Sequence, residues 1–373
     1  MGKYLPHYEQ ADRHLADLLP DVSFLKGVDP WQLPRIAGQR DSIVNFPDGE
    51  FSFLHEAVII EFHGVLYAAW YCNAETELHG RTPVLLKRSF DGGESWTQRE
   101  VLADDPTGTI LFCPPQFGIC EDRLYLFINR MWKLPDHMHA LDLYVLEEDT
   151  GAFRQLWSRP LPFKLNTNVC TLPDGRLLMP GRIAEMDGFP NTPAVLLSDS
   201  GKIDDQWRLV YMAPNGDLPD GSHYVHPEQS AIVDGDRTWI FCRNDDLQVP
   251  IVYYSDDGCE HFEGPIAHDI PFSSSKIYSG TLSDGRHYLI GNTDRARTRL
   301  VLFVSEPDSM EFTKGYVLQE GFCEALGCGW MWHYPAAWEA DGTLYVICTV
   351  NTDKGTVGYR RGAALMRIPL NAI

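Results

Sequence analysis

None of the nine cysteines forms a Cys-x-x-Cys pair, and an odd, scattered set of this kind indicates neither a disulfide framework nor a zinc site. No apolar run is long enough to span a bilayer. The first twenty residues, MGKYLPHYEQADRHLADLLP, carry charge throughout in place of the apolar stretch of a secretion signal. Basic residues are scarce: 31 Lys and Arg stand against 52 Asp and Glu, a net charge of −21, which argues against nucleic acid and against anionic membrane surfaces as partners. No phosphate-binding glycine loop, dinucleotide fingerprint or zincin motif occurs, so no cofactor and no metal is expected. Low-complexity runs are missing too, because proline and glycine are spread along turns. These absences lead us to expect a soluble, cytoplasmic protein without an internal linker. With 44% hydrophobic residues, it has enough apolar side chains for a full core.

What the chain does have is a repeat. A turn followed by an apolar, β-prone run occurs six times: FHGVLYAAW, CEDRLYLFI, PDGRLLMPG, VDGDRTWIF, SDGRHYLIG and ADGTLYVIC. The turn centres fall at Gly64, Asp122, Gly175, Gly235, Gly285 and Gly342. Such a period suits one four-stranded unit repeated along the chain, and six such units predict an all-β, six-bladed β-propeller.

Residues 1–45 contain Pro6, Pro20, Pro30 and Pro34 and one helical candidate at Tyr8–Leu19. They are expected to form an N-terminal arm packed on the propeller, which occupies 46–373. A piece near Ser42–Phe46 should supply the fourth strand of the blade that ends in GAALMRIPL, closing the ring and removing its free edges.

The first strand of each blade lies nearest the axis, so its start rings one mouth of the channel. Counting back from the turns puts His55 and Glu56, Pro114 and Gln116, Asn166 and Asn168, His226 and Glu228, Ser275 and Lys276, and His333 and Tyr334 there. The ends of the second strands add Arg130, Arg182, Arg243 and the Arg295, Arg297, Arg299 cluster. Arginines gathered on one face of an acidic protein suit a carboxylate ligand, although each can also pair with a local acid such as Asp245 or Asp294.

One local motif is more specific. Ser89, Asp91, Gly93 and Trp96 have the spacing S-x-D-x-G-x-x-W, in which Ser and Asp bond a tight turn and the aromatic ring folds back on it. Tyr254–Phe262 is a worn copy with Cys259 at the second glycine position, and the turns near Ser198, Ser305 and Asp149 are weaker ones. This resembles the aspartate box of sialidases, and the chain resembles the sialidase-like superfamily over about residues 50–370. The resemblance implies a glycosidase in which arginines hold a carboxylate, a tyrosine paired with a glutamate is the nucleophile, and an aspartate is the acid/base. HPEQSAIVDGDRTWIFCRN then gives Glu228 and Arg243. RTRLVLFVSE gives Arg297 or Arg299, and WHYPAAWEADG gives Tyr334. Two departures stand out. His55 occupies the first-arginine place, and YCNAETELHGRTPVLLKRS has no aspartate, which leaves His79, with Glu75 and Glu77, to move a proton.

Tyrosine is a poor nucleophile near neutrality unless a base takes its proton, so the Tyr334 and Glu228 pair favours an exo-acting hydrolase of a small anionic sugar. Four histidines, His55, His79, His226 and His333, keep a uronate lyase in view, since histidine titrates near neutrality. A carbohydrate-binding propeller without catalysis is the third reading. Trp132, Trp330 and Trp332 are candidate platforms for a longer ligand or packing residues of the blades.

Overall fold

In the computed structural model, residues 11, 13–132, 138–184, 191–212, 226–243, 245, 249–352 and 360–373 are described. Their strands form six antiparallel blades around an axis, as the repeat predicts. Blade I comprises Phe53–Phe62, Val65–Asn73, Val84–Ser89 and Glu100–Ala103. Blade II runs through Ile110–Cys120, Arg123–Trp132, Met138–Glu147 and Ala152–Arg159. In blade III the inner strand is broken into Phe163–Leu165 and Cys170–Thr171, both paired with Leu177–Ile183, and Thr192–Ser198 and Arg208–Tyr211 follow outside. Blades IV and V open with Gln229–Asp234 and Tyr278–Thr281. Blade VI comprises Trp332–Ala340, Thr343–Asn351 and Arg361–Pro369, with Arg40–Asn45 as its outermost strand. The chain thus closes its own ring: Ser42 pairs with Leu365 and Ile43 with Ala364.

All six turn centres read from the sequence adopt positive φ, from 55° at Asp122 to 87° at Gly175, the backbone state that a tight hairpin connection demands. The box at Ser89 closes as its residue types require. The Gly93 amide donates to Ser89 Oγ at 2.8 Å, and the Ser95 amide donates to Asp91 Oδ1 at 2.9 Å. The worn copy repeats this chemistry, with the Cys259 amide donating to Ser255 Oγ at 2.9 Å. Cys259 itself takes φ 67°. The Ser198 and Ser305 turns bond differently, their hydroxyls donating to the Lys202 and Glu306 carbonyls.

The N-terminal arm lies along the outer strands of blades IV and V. The Ala267 amide donates to the Arg13 carbonyl, Phe312 to Phe24, and Val317 to Pro34. Phe24 is fully buried among Trp239, Phe241 and His268. Of the helix expected at Tyr8–Leu19, only Leu15–Leu18 is helical; Tyr8, Glu9, Gln10 and Asp12 lie outside the described residues. Arg40–Asn45, counted with the arm from sequence, belongs to blade VI. Among the described residues no helix is long and apolar enough to cross a membrane, and none of the nine cysteines is paired.

Candidate functional site

Three inner strands carry the same irregularity near the mouth of the channel. Register slips by one residue between His55 and Val58, between Phe112 and Pro115, and between His333 and Ala336. A bulge of this kind re-aims a side chain. In blade I it presents Glu56 at φ 48°, and in blade VI it presents Tyr334 at φ 54°. A left-handed backbone at a bulky residue costs on the order of 1–3 kcal/mol and gathers at functional sites.

Tyr334 stands in a cavity of about 380 Å³ walled by His55, Glu56, Glu77, Leu78, Lys164, Arg182, His226, Glu228, Arg243, Arg297 and Arg361. Arg243 organises it. Its Nη1 donates to Glu228 Oε2 at 2.7 Å and to the Tyr334 hydroxyl at 2.8 Å. Its Nε and Nη2 grip Asp245 at 2.7 and 2.8 Å, and Asp245 Oδ2 meets His226 Nδ1 at 3.0 Å. One guanidinium therefore joins the tyrosine and the glutamate that the sequence singled out, braced from behind by a carboxylate.

Electrostatics follow from this wiring. Burial alone would raise Glu228, but Arg243, Arg182 and Lys276 outweigh it and hold the carboxyl down to about 2. Burial, helped by Glu228, pushes the Tyr334 phenol above its ordinary value, against the pull of Arg243 and Arg297. Burial and the surrounding arginines keep His55 and His333 well below theirs, so both rings are neutral. The His55 ring lies 4.1 Å from that of Tyr334, and its Nδ1 meets Thr349 Oγ1 at 3.1 Å. Lys276 Nζ donates to Glu56 Oε2 at 2.8 Å with both side chains 4% exposed, and it sits 5.7 Å from the Tyr334 ring.

Of the residues expected from sequence, Tyr334, Glu228, His55, His226, Arg182, Arg243 and Arg297 meet in this cavity. Others do not. His79 and Glu75 are exposed and outside it; of the loop after Asn73, Glu77, itself exposed, and Leu78 line the cavity instead. Glu77 is held there by the Tyr71 hydroxyl at 2.9 Å. Arg130 is held in blade II by Asp142 at 3.0 Å. Arg299 donates to the Pro30 carbonyl and ties down the arm. Gln116 is buried and donates to the Asn166 carbonyl at 3.0 Å. His333 is fully buried behind Tyr334. Asn168 lines a different cavity, of about 720 Å³, with Tyr278, Tyr288 and Trp338. That cavity is larger, but it lacks the convergent charges of the smaller one. Of the tryptophans, Trp132 is 48% exposed and meets His139 edge-on, whereas Trp332 is buried.

The sequence reading missed three charged wall residues. Lys164 takes the mouth position in blade III because the inner strand breaks after Leu165, which throws off a count made from the turn. Arg361 comes from a third strand, which was not expected to reach the mouth. Glu56 stood beside His55 among the counted positions but was given no role. No group of three or more His, Cys, Asp or Glu able to hold a metal occurs among the described residues.

Residues 63–346 match the family model of the BNR repeat-like domain. No curated protein matches the chain. Among solved structures, a protein of unknown function from Dyadobacter fermentans superposes with a TM-score of 0.69 at 15% identity, covering 89% of this chain and 100% of that one. Trypanosoma rangeli sialidase in complex with sialic acid gives 0.66 at 14% identity over 90% of this chain and 60% of its own. The Hadza microbial sialidase Hz136 gives 0.67 at 12% identity over 87% and 67%. The chain thus spans about three fifths of the Trypanosoma enzyme's length. With a family model covering most of its length, the chain belongs to the BNR repeat-like family, and it shares its six-bladed fold with these structures.

Proposed function

We propose that the protein is an exo-acting glycoside hydrolase of a small anionic sugar, with Tyr334 as nucleophile. The observation that carries this reading is the single Arg243 nitrogen bonded to both the Tyr334 hydroxyl and Glu228. That geometry keeps the phenol oxygen beside a carboxylate held in its charged form, and it supplies a cation for the negative charge that grows on the phenol as its proton leaves. In the first step the Tyr334 oxygen bonds to the anomeric carbon, its proton passes to Glu228, and the leaving oxygen takes a proton from Glu77. Water then gives a proton to the Glu77 carboxylate as it attacks the same carbon, and Tyr334 leaves as Glu228 returns its proton, so both carboxyl groups end as they began. Tyrosine nucleophiles are a recognised departure from the two-carboxylate plan.

Charge and size support the substrate class. Five cationic side chains, Lys164, Arg182, Arg243, Arg297 and Arg361, face three carboxylates, Glu56, Glu77 and Glu228, across the cavity, in a protein of net charge −21. A volume near the lower end of small-molecule sites, which run about 300–1,000 Å³, suits a chain end or a small sugar rather than the middle of a polymer.

One observation favours a second reading. Neutral His55 packed on Tyr334 is a base beside a phenol, the pair that β-elimination of a uronate needs. The two separate in one experiment: fluorogenic sialosides and uronides are offered to the protein beside uronate oligosaccharides. Fluorophore release that Tyr334→Phe and Glu228→Gln both abolish supports hydrolysis. Ultraviolet absorbance of an unsaturated product, with no fluorophore released, overturns it in favour of the lyase. Silence in both channels, with a sugar retained on a binding array, leaves a carbohydrate-binding propeller.

A further inference from the structure

A short hairpin precedes the strand that carries Tyr334. In it Phe322–Cys323 pairs with Cys328–Gly329, and Cys323 stands directly opposite Cys328. Residues opposed in an antiparallel pair share a face and hold their Cα atoms about 4.5–5.5 Å apart, inside the range of about 4.4–6.8 Å that a disulfide spans. The two backbones approach closely: Gly329 takes φ 129°, and a Cβ on it would lie 2.5 Å from the Gly321 carbonyl oxygen and 3.0 Å from the Cys323 nitrogen. Both thiols are free; Cys323 is half-buried and Cys328 is buried. Burial, with Cys323 and Asp41 nearby, pushes the Cys328 thiol up to about 12, so the accessible partner is Cys323. A third thiol, Cys348 of blade VI, is fully buried and close enough to feel Cys328. The hairpin is also wired to the charged cavity. Its Gly321 amide donates to the Thr298 carbonyl at 2.9 Å, its Gly321 carbonyl accepts the Trp332 indole N–H at 2.7 Å, and the Trp332 amide donates to the Arg297 carbonyl at 2.9 Å. Arg297 and Tyr334 both line that cavity.

We infer that Cys323 and Cys328 are a modification site, at which a low-molecular-weight disulfide such as oxidised glutathione forms an intrachain disulfide that staples the hairpin beside the cavity. The Cys323 thiolate attacks one sulfur of the small disulfide, forming a mixed disulfide and releasing one small thiolate. The Cys328 sulfur, giving its proton to solvent, then attacks the Cys323 sulfur and expels the second small thiolate. Two protein thiols become one disulfide while one small disulfide is reduced to two thiols, so electrons balance. The staple removes opened forms of the hairpin from the ensemble and thereby steadies the bonds that run from Gly321 to Thr298 and Trp332. Neither step depends on what the cavity binds or cleaves.

The full chain, folded and reduced, is treated with oxidised glutathione, its remaining thiols are blocked, and it is cleaved after glutamate. Glu324 lies between the two cysteines and Glu339 lies before Cys348, so each of the three thiols falls on its own fragment: 321–324, 325–339 and 340–373. Mass spectrometry should find 321–324 joined to 325–339, with the link released by dithiothreitol and lost in Cys323→Ser and in Cys328→Ser. A link between 325–339 and 340–373, glutathione left on Cys323 in the unsubstituted protein, or no link at all would overturn the inference. Hydrogen exchange reads the staple's reach: the Gly321 and Trp332 amides should exchange severalfold more slowly after oxidation, with no slowing in Cys323→Ser treated alike. Equal exchange in the oxidised and reduced proteins would mean that the disulfide does not staple the hairpin.

Discussion

Glu56 and Tyr334 occupy the same place in adjacent blades: each is the first residue of an inner-strand bulge, with φ of 48° and 54°. A repeat that places a carboxylate and a phenol at equivalent left-handed positions has used one backbone device for two purposes. Tyr334 is aimed at Arg243. Glu56 is aimed at Lys276, which starts its own blade two blades away around the ring, so the buried pair spans the blade that carries Tyr334.

That pair sets the first prediction. Removing one partner of a buried ion pair leaves an uncompensated charge and costs about 3–5 kcal/mol, whereas replacing both with neutral groups is often tolerated. Lys276→Met alone should destabilise the protein by that order in urea unfolding, and adding Glu56→Gln should recover most of the loss. If the double variant is as unstable as the single one, the pair is not the cause.

Tyr334→Phe removes one hydrogen bond from Arg243 and leaves the ring against His55. The stability cost is that of one charged hydrogen bond, about 1.5–3 kcal/mol. Loss of a nucleophile, by contrast, lowers kcat by about a thousandfold or more. Thermal unfolding beside initial rates separates the two effects. Turnover persisting within a few fold in a folded Tyr334→Phe protein would remove the nucleophile from the mechanism.

The parts of the molecule legible in sequence are those encoded locally. The six turns needed only a residue that accepts positive φ at each centre. The boxes needed Ser and Asp two apart, and even Cys259 in place of glycine left the Ser255 bond intact. Tyr334, Glu228 and Arg243, which line one cavity, could be named because their segments resemble those of sialidases. What escaped depends on three-dimensional placement. Arg361 stacks on Phe53 from a strand some 300 positions downstream, Lys164 reaches the mouth only because its strand breaks, and the choice of Glu77 over Glu75 and His79 rests on which residue of one loop lines the cavity.

Acid should destabilise the fold in two stages. Burial lowers His268 to about 3 and also depresses His55, His287 and His333 below their ordinary 6.5. Glu228, held to about 2 against the desolvation of its burial, lies below its ordinary 4.5. In every case the folded pKa is below the unfolded one, so the contribution is complete above the unfolded value and is lost as pH falls toward the folded value. Melting temperature should therefore be level above pH 6.5, fall as the histidines take up protons in the unfolded state, and fall more steeply below 4.5. His268→Asn, which keeps an acceptor for the Ile270 amide, should flatten the first stage and leave the second. A histidine variant with an unchanged upper slope would exclude this account.

The proton donor is the sharpest choice between the loop's three candidates. All three are exposed, but Glu77 alone of them lines the cavity and is bonded to Tyr71. General acid catalysis contributes about a hundredfold to ten-thousandfold, so Glu77→Gln should lower kcat by that order on substrates with poor leaving groups. On an aryl glycoside, whose leaving phenolate needs little help, the loss should be far smaller. Glu75→Gln and His79→Ala should leave both substrates within about twofold, the range of ordinary surface changes, which seldom exceed 0.5 kcal/mol. Equal losses on both leaving groups would mean that Glu77 holds Tyr71 or the substrate in place without giving up a proton, and a large loss in His79→Ala would return the acid to the residue the sequence first suggested.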